Sequence, residues 1–310
     1  MARPCLSDVS DGASEMRDSP LPDARSCKGL REVADRYDGF VIDQWGVLHD
    51  GVAAYPGAIE CLQRLRALDK TVIILSNSGK RAAANIVRLA AMGFGSASYT
   101  EFLTSGEVAR NKLIERADPF YRRLGERCLL LSNDGDRSIV EGVDVELVDS
   151  VEAADFILLA GIDGSKPLAT YEAMLECGID RGLLLLCANP DLLRISGQDL
   201  AHSSGALAHR YELLGGHIHY VGKPYPEVYT ECRNLFARRD ATRVLAIGDS
   251  LQHDIVGGAE AGFDTMLVMT GIHRPDFAAA EDDAAIRQRL LALTSERGEL
   301  PDWVLVSLRW

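Results

Sequence analysis

The sequence has no apolar run near the roughly 20 residues that a bilayer-spanning helix needs; its densest stretch is only Leu183 to Ala188. A membrane-spanning protein is thereby set aside. The first residues are rich in Asp, Ser, Pro and Arg and lack the apolar segment of a secretory signal, so residues 1–27 read as a disordered lead-in. There is no C-x-x-C pair. The seven cysteines (Cys5, Cys27, Cys61, Cys128, Cys177, Cys187 and Cys232) are odd in number and scattered. That pattern suits a reducing compartment rather than a disulfide scaffold or zinc site, so the cytoplasm is the expected location. Basic residues are scarce as well, with 33 Lys and Arg against 46 Asp and Glu and a formal net charge of −13. Without a local basic patch, such a chain repels nucleic acid backbones and anionic lipid surfaces. The expected partner is therefore a small molecule. A compact anion remains admissible, because a few lysines, backbone amides and a metal set the field locally. No internal repeat or low-complexity tract occurs, and a homo-oligomer is compatible with the sequence without being marked in it.

The chain has 310 residues, 47% of them hydrophobic and 25% charged, which is enough for one large or two moderate globular domains. From Gly39 onward, short apolar runs alternate with helix-period segments, the pattern of βαβ units around a parallel sheet. The predicted fold is therefore α/β and doubly wound. Phe40-Val41-Ile42 ends in Asp43, Thr71 to Leu75 ends in Ser76-Asn77-Ser78, and between them Ile59, Leu62, Leu65 and Leu68 share a helical face. Val244 to Ile247 runs into Gly248-Asp249-Ser250, followed by a Gly-rich helix and a buried strand from Thr265 to Met269. Residues 83–207 repeat the same grammar and read as a second α/β domain inserted into a core formed by 28–82 and 208–310.

Ligands of open α/β sheets sit beyond the carboxyl ends of the strands, so Asp43, Ser76 and Asp249 are expected to converge on one crevice. Each segment has a plain alternative. Asp43 stands before Gly46, which lets a ligand approach the backbone, yet an Asp at a strand end is more often a turn former. Asn77 and Ser78 offer donors that also suit ordinary turn chemistry. Lys223, between Gly222 and Pro224 after the run Ile218 to Val221, is held on a stiff loop, although an exposed lysine is the commoner outcome. Asp249 and Asp254 suit Mg²⁺, which takes one or two carboxylates plus waters and phosphate oxygens, but also suit a helix cap and a first-turn acid.

Together the four segments resemble, in order and spacing, the four motifs of the haloacid dehalogenase superfamily: nucleophile Asp, Ser/Thr, Lys and the acidic G-D-x-x-x-x-D. Cys187-Ala188-Asn189-Pro190-Asp191, Gly205-Ala206-Leu207 and Gly222-Lys223-Pro224 are similar to its type-two-capped p-nitrophenyl phosphatase and sugar-phosphatase-like branch. The resemblance covers about Tyr37 to Gly271 and implies a Rossmann-like core with a cap. It also implies a Mg²⁺-dependent phosphatase acting on a small phosphorylated metabolite. Asp43 would be the nucleophile that becomes an aspartyl phosphate. Asp43, Asp249 and the Trp45 carbonyl would hold Mg²⁺, with Asp254 in support. Ser76 would donate to a phosphoryl oxygen and Lys223 would neutralise charge. Gly46, Asn77, Ser78, Asn189 and Asp191 would face the substrate, although an Asn-Pro-Asp turn explains the last two equally well.

One position departs from the superfamily. Most of its phosphatases carry D-x-D, whose second Asp protonates the leaving group, and here that residue is Trp45. An indole cannot transfer the proton. His49 or Asp50 could take over, the substrate could be an acyl phosphate needing no proton, or the chain could bind phosphate without turning it over. A dehalogenase uses no metal, so paired Asp249 and Asp254 argue against that activity. His217 and His219 share a strand face, but without a third ligand strand packing is the better reading.

Overall fold

A computed structural model describes residues 24–196, 199–280, 282–295 and 299–310. The first strands in chain order are β1 (Arg25–Cys27), β2 (Gly39–Asp43), β3 (Thr71–Ser76) and β4 (Glu101–Thr104). The middle of the chain supplies β5 (Arg127–Leu131), β6 (Glu146–Val148), β7 (Phe156–Leu159), β8 (Leu184–Cys187), β9 (Leu193–Ser196) and β10 (Asp199–His202). There follow β11 (His217–Tyr220), β12 (Val244–Gly248), β13 (Asp264–Val268) and β14 (Trp303–Leu305). They form a seven-stranded sheet of order β1-β14-β13-β12-β2-β3-β4, a five-stranded sheet of order β11-β8-β7-β5-β6, and the antiparallel hairpin β9–β10. Both larger sheets are parallel throughout and flanked by helices, the Rossmann-like α/β class expected.

The central strands are apolar on both faces, as parallel strands covered by helices on either side must be. Phe40 and Ile42, Val72 and Ile74, and Leu245 and Ile247 enter one core, which is closed by helix Ala58–Ala67. Val41, Ile73, Leu75, Val244 and Ala246 enter another, shared with Phe156 and Leu158 of β7 and Leu186 of β8. Alternate side chains of one strand thus pack into different cores, as the strand period of two dictates. The second of these cores joins the two sheets.

Three expectations need correction. Arg25–Cys27 is not part of an irregular lead-in, because it pairs in register with Trp303–Leu305 at the sheet edge; the rest of that lead-in, through residue 23, lies outside the described residues. Strand β4 pairs with β3, and β11 pairs with β8, so the chain changes sheets after Thr104 and again after Tyr220, not at 82/83 and 207/208. Apolar runs look the same whichever sheet they join. On helix Ala58–Ala67 the buried stripe is Ala58, Cys61, Leu62 and Leu65, while Leu68 lies past its end and is 47% exposed.

Candidate active site

The chain leaves β2 for β3 on one side and β12 for β13 on the other, so a crevice opens between the carboxyl ends of β2 and β12. Asp43 is the last residue of β2, and Asp249 directly follows β12. Carboxylate oxygens of Asp43, Asp249 and Asp254 all lie within 4.8 Å of one another, and all three residues are buried. Buried like charges at that spacing need a cation. Lys223, delivered by the loop after β11 and 4% exposed, donates from Nζ to Asp43 Oδ1 and, at 2.6 Å, to Asp254 Oδ1.

Burial, with the Asp254 charge, pushes the Asp43 carboxyl up to about 7 even though Lys223 pulls it down. Burial and the neighbouring Asp43 and Asp254 charges hold Asp249 well above the usual carboxylate range. Burial alone would lower the Lys223 ammonium, but Asp254 and Asp43 outweigh it and raise its pKa well above the ordinary value. One ammonium facing three carboxylates leaves the crevice short of positive charge.

The all-oxygen donor set suits a hard divalent cation such as Mg²⁺. The local backbone leaves room for it. Gly46 has φ 79° and Gly271 φ 74°, and a Cβ on either would fall 2.1 Å and 1.9 Å from Asp249 Oδ2. The flap bridge between Trp45 and His49 uses the Gln44 and His49 carbonyls rather than that of Trp45. Asp249 is held by the Ile272 N–H donating to Oδ2 at 2.8 Å. Asp254 has both oxygens engaged, Oδ1 by Lys223 and Oδ2 by the Ser250 N–H at 3.1 Å, which suits support rather than direct ligation. The helix cap after β12 is Ser250, whose Oγ accepts from His253 N at 3.1 Å, so Asp249 is not spent on capping.

The expected substrate contacts divide. Ser76, the last residue of β3, is buried, and its Oγ accepts from Ser78 N at 3.3 Å. Ser78 Oγ is used within its turn, accepting from Lys80 N and Asn85 Nδ2. Asn77 clamps Lys223 instead: the Lys223 N–H donates to Asn77 Oδ1 at 2.6 Å, and Asn77 Nδ2 donates to Lys223 O at 3.1 Å and to Asp191 Oδ1 at 2.7 Å. Asn189 accepts from Asp191 N at 3.1 Å, the turn foreseen as its plain reading. Asp191, carried by the five-stranded sheet, also comes within 3.6 Å of His253 Nδ1.

The Trp45 ring packs edge-on against His49 at 4.9 Å, with the Arg88 guanidinium 4.7 Å over it. Asp50 is exposed and spends Oδ1 on the Val52 and Ala53 N–H groups. His49 is fully buried; burial, and secondarily Arg88, lower its pKa to about 4, against a smaller opposing pull from Asp50. Its Nδ1 accepts from Gly51 N, so the neutral ring carries its proton on Nε2. That nitrogen and both amide atoms of the buried Gln44 have no partner among the described residues. His219 bonds Glu227 at 2.8 Å and stacks on Phe120 while His217 is exposed, so strand packing accounts for this pair. The Thr270-Gly271-Ile272 loop escaped sequence reasoning, although the strand-end rule applied to β13 would have found it.

This fold and acidic crevice are those of a haloacid dehalogenase-like hydrolase. The family model of that description matches residues 40–146, and a second, HAD-hydrolase-like, matches 220–292. Human chronophin is 30% identical over 260 residues, covering 81% of this chain and 87% of its own. The chain belongs to the haloacid dehalogenase-like hydrolase family and is an enzyme of that class. Among solved structures, a haloacid dehalogenase-like hydrolase from Brucella suis matches with a TM-score of 0.76 at 29% identity, covering 91% of this chain and 99% of that one. A glycerol phosphate phosphatase from Mycobacterium tuberculosis, solved in complex with magnesium, matches with a TM-score of 0.63 at 24% identity over 81% of this chain and 73% of that one.

Proposed function

We propose that this hydrolase is a Mg²⁺-dependent phosphatase acting on a small phosphorylated metabolite, with Asp43 as the nucleophile. The class, phosphoric monoester hydrolase, is supported by relatives named phosphatases. The observation that carries the proposal is the buried Asp43–Lys223–Asp254 chain with Asp249 beside it. Asp43, Asp249 and the Trp45 carbonyl would hold Mg²⁺, with Asp254 supporting through Lys223. Bound Mg²⁺ offsets the charge of the carboxylates and of the incoming phosphate.

An Asp43 carboxylate oxygen forms a bond to phosphorus as the ester P–O bond breaks, giving an aspartyl phosphate and the alcohol; water then attacks phosphorus and returns the carboxylate and inorganic phosphate. Lys223 fixes Asp43 through Oδ1 and offsets the charge that builds on the phosphoryl group, and Ser76 donates its hydroxyl proton to a phosphoryl oxygen. The five-stranded sheet would act as the cap, with Asp191 reaching the crevice edge. The leaving oxygen needs a proton that Trp45 cannot supply.

A second reading, a phosphate-binding protein with impaired turnover, is favoured by that same indole and by the exposed, turn-bound Asp50. A screen of phosphorylated metabolites with and without Mg²⁺, read as phosphate release, decides between the two. Beryllium fluoride with Mg²⁺ should raise the unfolding temperature of the parent by ligand linkage and leave Asp43→Asn unmoved. An equal rise in the variant places the nucleophile elsewhere.

A further inference from the structure

The five-stranded sheet repeats the topological feature that builds the active site. Its order is β11-β8-β7-β5-β6, and the chain leaves β5 for β6 on one side and β7 for β8 on the other. A second crevice must therefore open between the carboxyl ends of β5 and β7, the place where open α/β sheets bind ligands. A cavity of about 280 Å³ occupies it. Its walls come from the three strand ends around the reversal: Leu131 and Ser132 at β5, Val148 and Asp149 at β6, and Gly161 and Ile162 after β7. None of these residues belongs to the Asp43 site.

The chemistry of the walls is graded. Val148 and Ile162, with Tyr171 alongside, offer an apolar and aromatic surface for a flat ring. Arg137 reaches the cavity from the loop after β5 and is exposed, with no ion pair among the described residues. In a chain of net charge −13, an unpaired guanidinium at a cavity mouth is a fork for an oxyanion. Lys166 lines the same cavity and adds a second cation, held loosely at 3.7 Å from Asp163. Asp149 follows β6 directly and is exposed, free to accept from hydroxyls. It comes 18 residues after Leu131 at the end of β5. An acid at the end of the neighbouring strand, about 20 residues beyond the first strand's loop, is where mononucleotide-binding halves bond ribose hydroxyls. The loop after β5 continues into short 3-10 turns rather than a long helix, so it offers no helix N-terminus to a phosphate and leaves Arg137 and Lys166 as the cations of the cavity.

We infer that this cavity binds a nucleoside monophosphate, with phosphate on Arg137 and Lys166, ribose hydroxyls on Asp149 and the base against Val148, Ile162 and Tyr171. Its volume of about 280 Å³ lies just below the usual range of roughly 300–1,000 Å³ for ligand sites, so it admits at most one nucleoside unit and not a dinucleotide. The test is calorimetric titration of the full chain with AMP in EDTA, where hydrolysis does not intervene. Saturable binding is expected in the parent. Arg137→Ala and Asp149→Ala should each weaken it by about tenfold or more, as loss of a charge-assisted contact does, without changing p-nitrophenyl phosphate hydrolysis in Mg²⁺. Asp43→Asn and Ser76→Ala should bind AMP like the parent. Loss of AMP binding in those two variants would assign it to the Asp43 crevice and overturn the proposal. Its retention in Arg137→Ala, or an absence of saturable binding at millimolar AMP, would overturn it too. Because the readout is binding in EDTA, the outcome does not depend on whether the Asp43 site turns over phosphate esters.

Discussion

Asn77 and Lys223 exchange two hydrogen bonds of opposite sense, the Lys223 N–H donating to Asn77 Oδ1 at 2.6 Å and Asn77 Nδ2 donating back to the Lys223 carbonyl at 3.1 Å. The residue after Ser76 thereby fixes the loop that aims the only ammonium among the described residues bonded to Asp43. Asn77→Ala leaves a buried N–H unpaired, at a cost of about 1–3 kcal/mol. A shift of the Lys223 ammonium by a fraction of an ångström should lower kcat roughly 10- to 100-fold while KM changes little. Steady-state kinetics with p-nitrophenyl phosphate, beside thermal unfolding, measures both. A variant that unfolds earlier but keeps its kcat would show that the clamp serves stability alone.

Asp249→Asn removes one of three mutually repelling carboxylates, so the metal-free protein should be no less stable than the parent. What it should lose is the rise in unfolding temperature on adding Mg²⁺, together with hydrolysis. Calorimetric titration with Mg²⁺ checks this directly, and an unchanged affinity would remove Asp249 from the metal site.

The pH dependence follows from the burial of these carboxyls and, after it, from their repulsion. Asp43 has an ordinary pKa of 3.8 and is raised to about 7 in the fold by burial and Asp254. The folded metal-free protein therefore binds more protons here than the unfolded chain between those values, and this contribution to stability declines as pH rises through that window. Mg²⁺ must displace those protons. Its affinity, and the thermal shift it causes, should increase from pH 5 to pH 8. A shift independent of pH would mean that the carboxyls are already ionised without metal.

The strand ends were legible because Phe40 to Asp43, Thr71 to Ser76 and Val244 to Asp249 are apolar runs that stop at a polar residue. Two adjacent strands of known direction then bring Asp43 and Asp249 together. Sheet membership was not legible for β4 and β11, since four-residue strands carry no mark of their partner. Neither was the state of the flap. His49 is buried by tertiary packing, and Arg88 reaches Trp45 from helix Ala82–Ala91, a contact that no local pattern encodes. Asn77 and Ser78 have the donors expected of a phosphate loop, but the fold spends those side chains on Lys223, Asp191 and the turn.

On the function proposed above, Trp45 is the residue expected to restrict which substrates react. Its ring lies edge-on to His49 and beneath Arg88, so the position that usually supplies a proton presents an aromatic face. Asp50 is bound into its turn, and the ring of His49 is neutral, with Nδ1 taken by Gly51. A positioned general acid is worth roughly 10² to 10⁴ in rate. Aryl and acyl phosphates, whose leaving groups depart with little help, should therefore turn over far better than alkyl phosphates. Trp45→Asp should narrow that gap by restoring a carboxyl at the crevice. The residue is only partly buried, so the stability lost should fall below the roughly 3–5 kcal/mol of a fully buried Trp truncation. His49→Gln separates the remaining case: if it lowers kcat/KM for an alkyl phosphate but not for p-nitrophenyl phosphate, the flap around His49 rather than Trp45 alone sets the leaving-group preference. If the parent hydrolyses neither ester in Mg²⁺ while the beryllium fluoride adduct still forms at Asp43, the chain binds phosphate without turning it over.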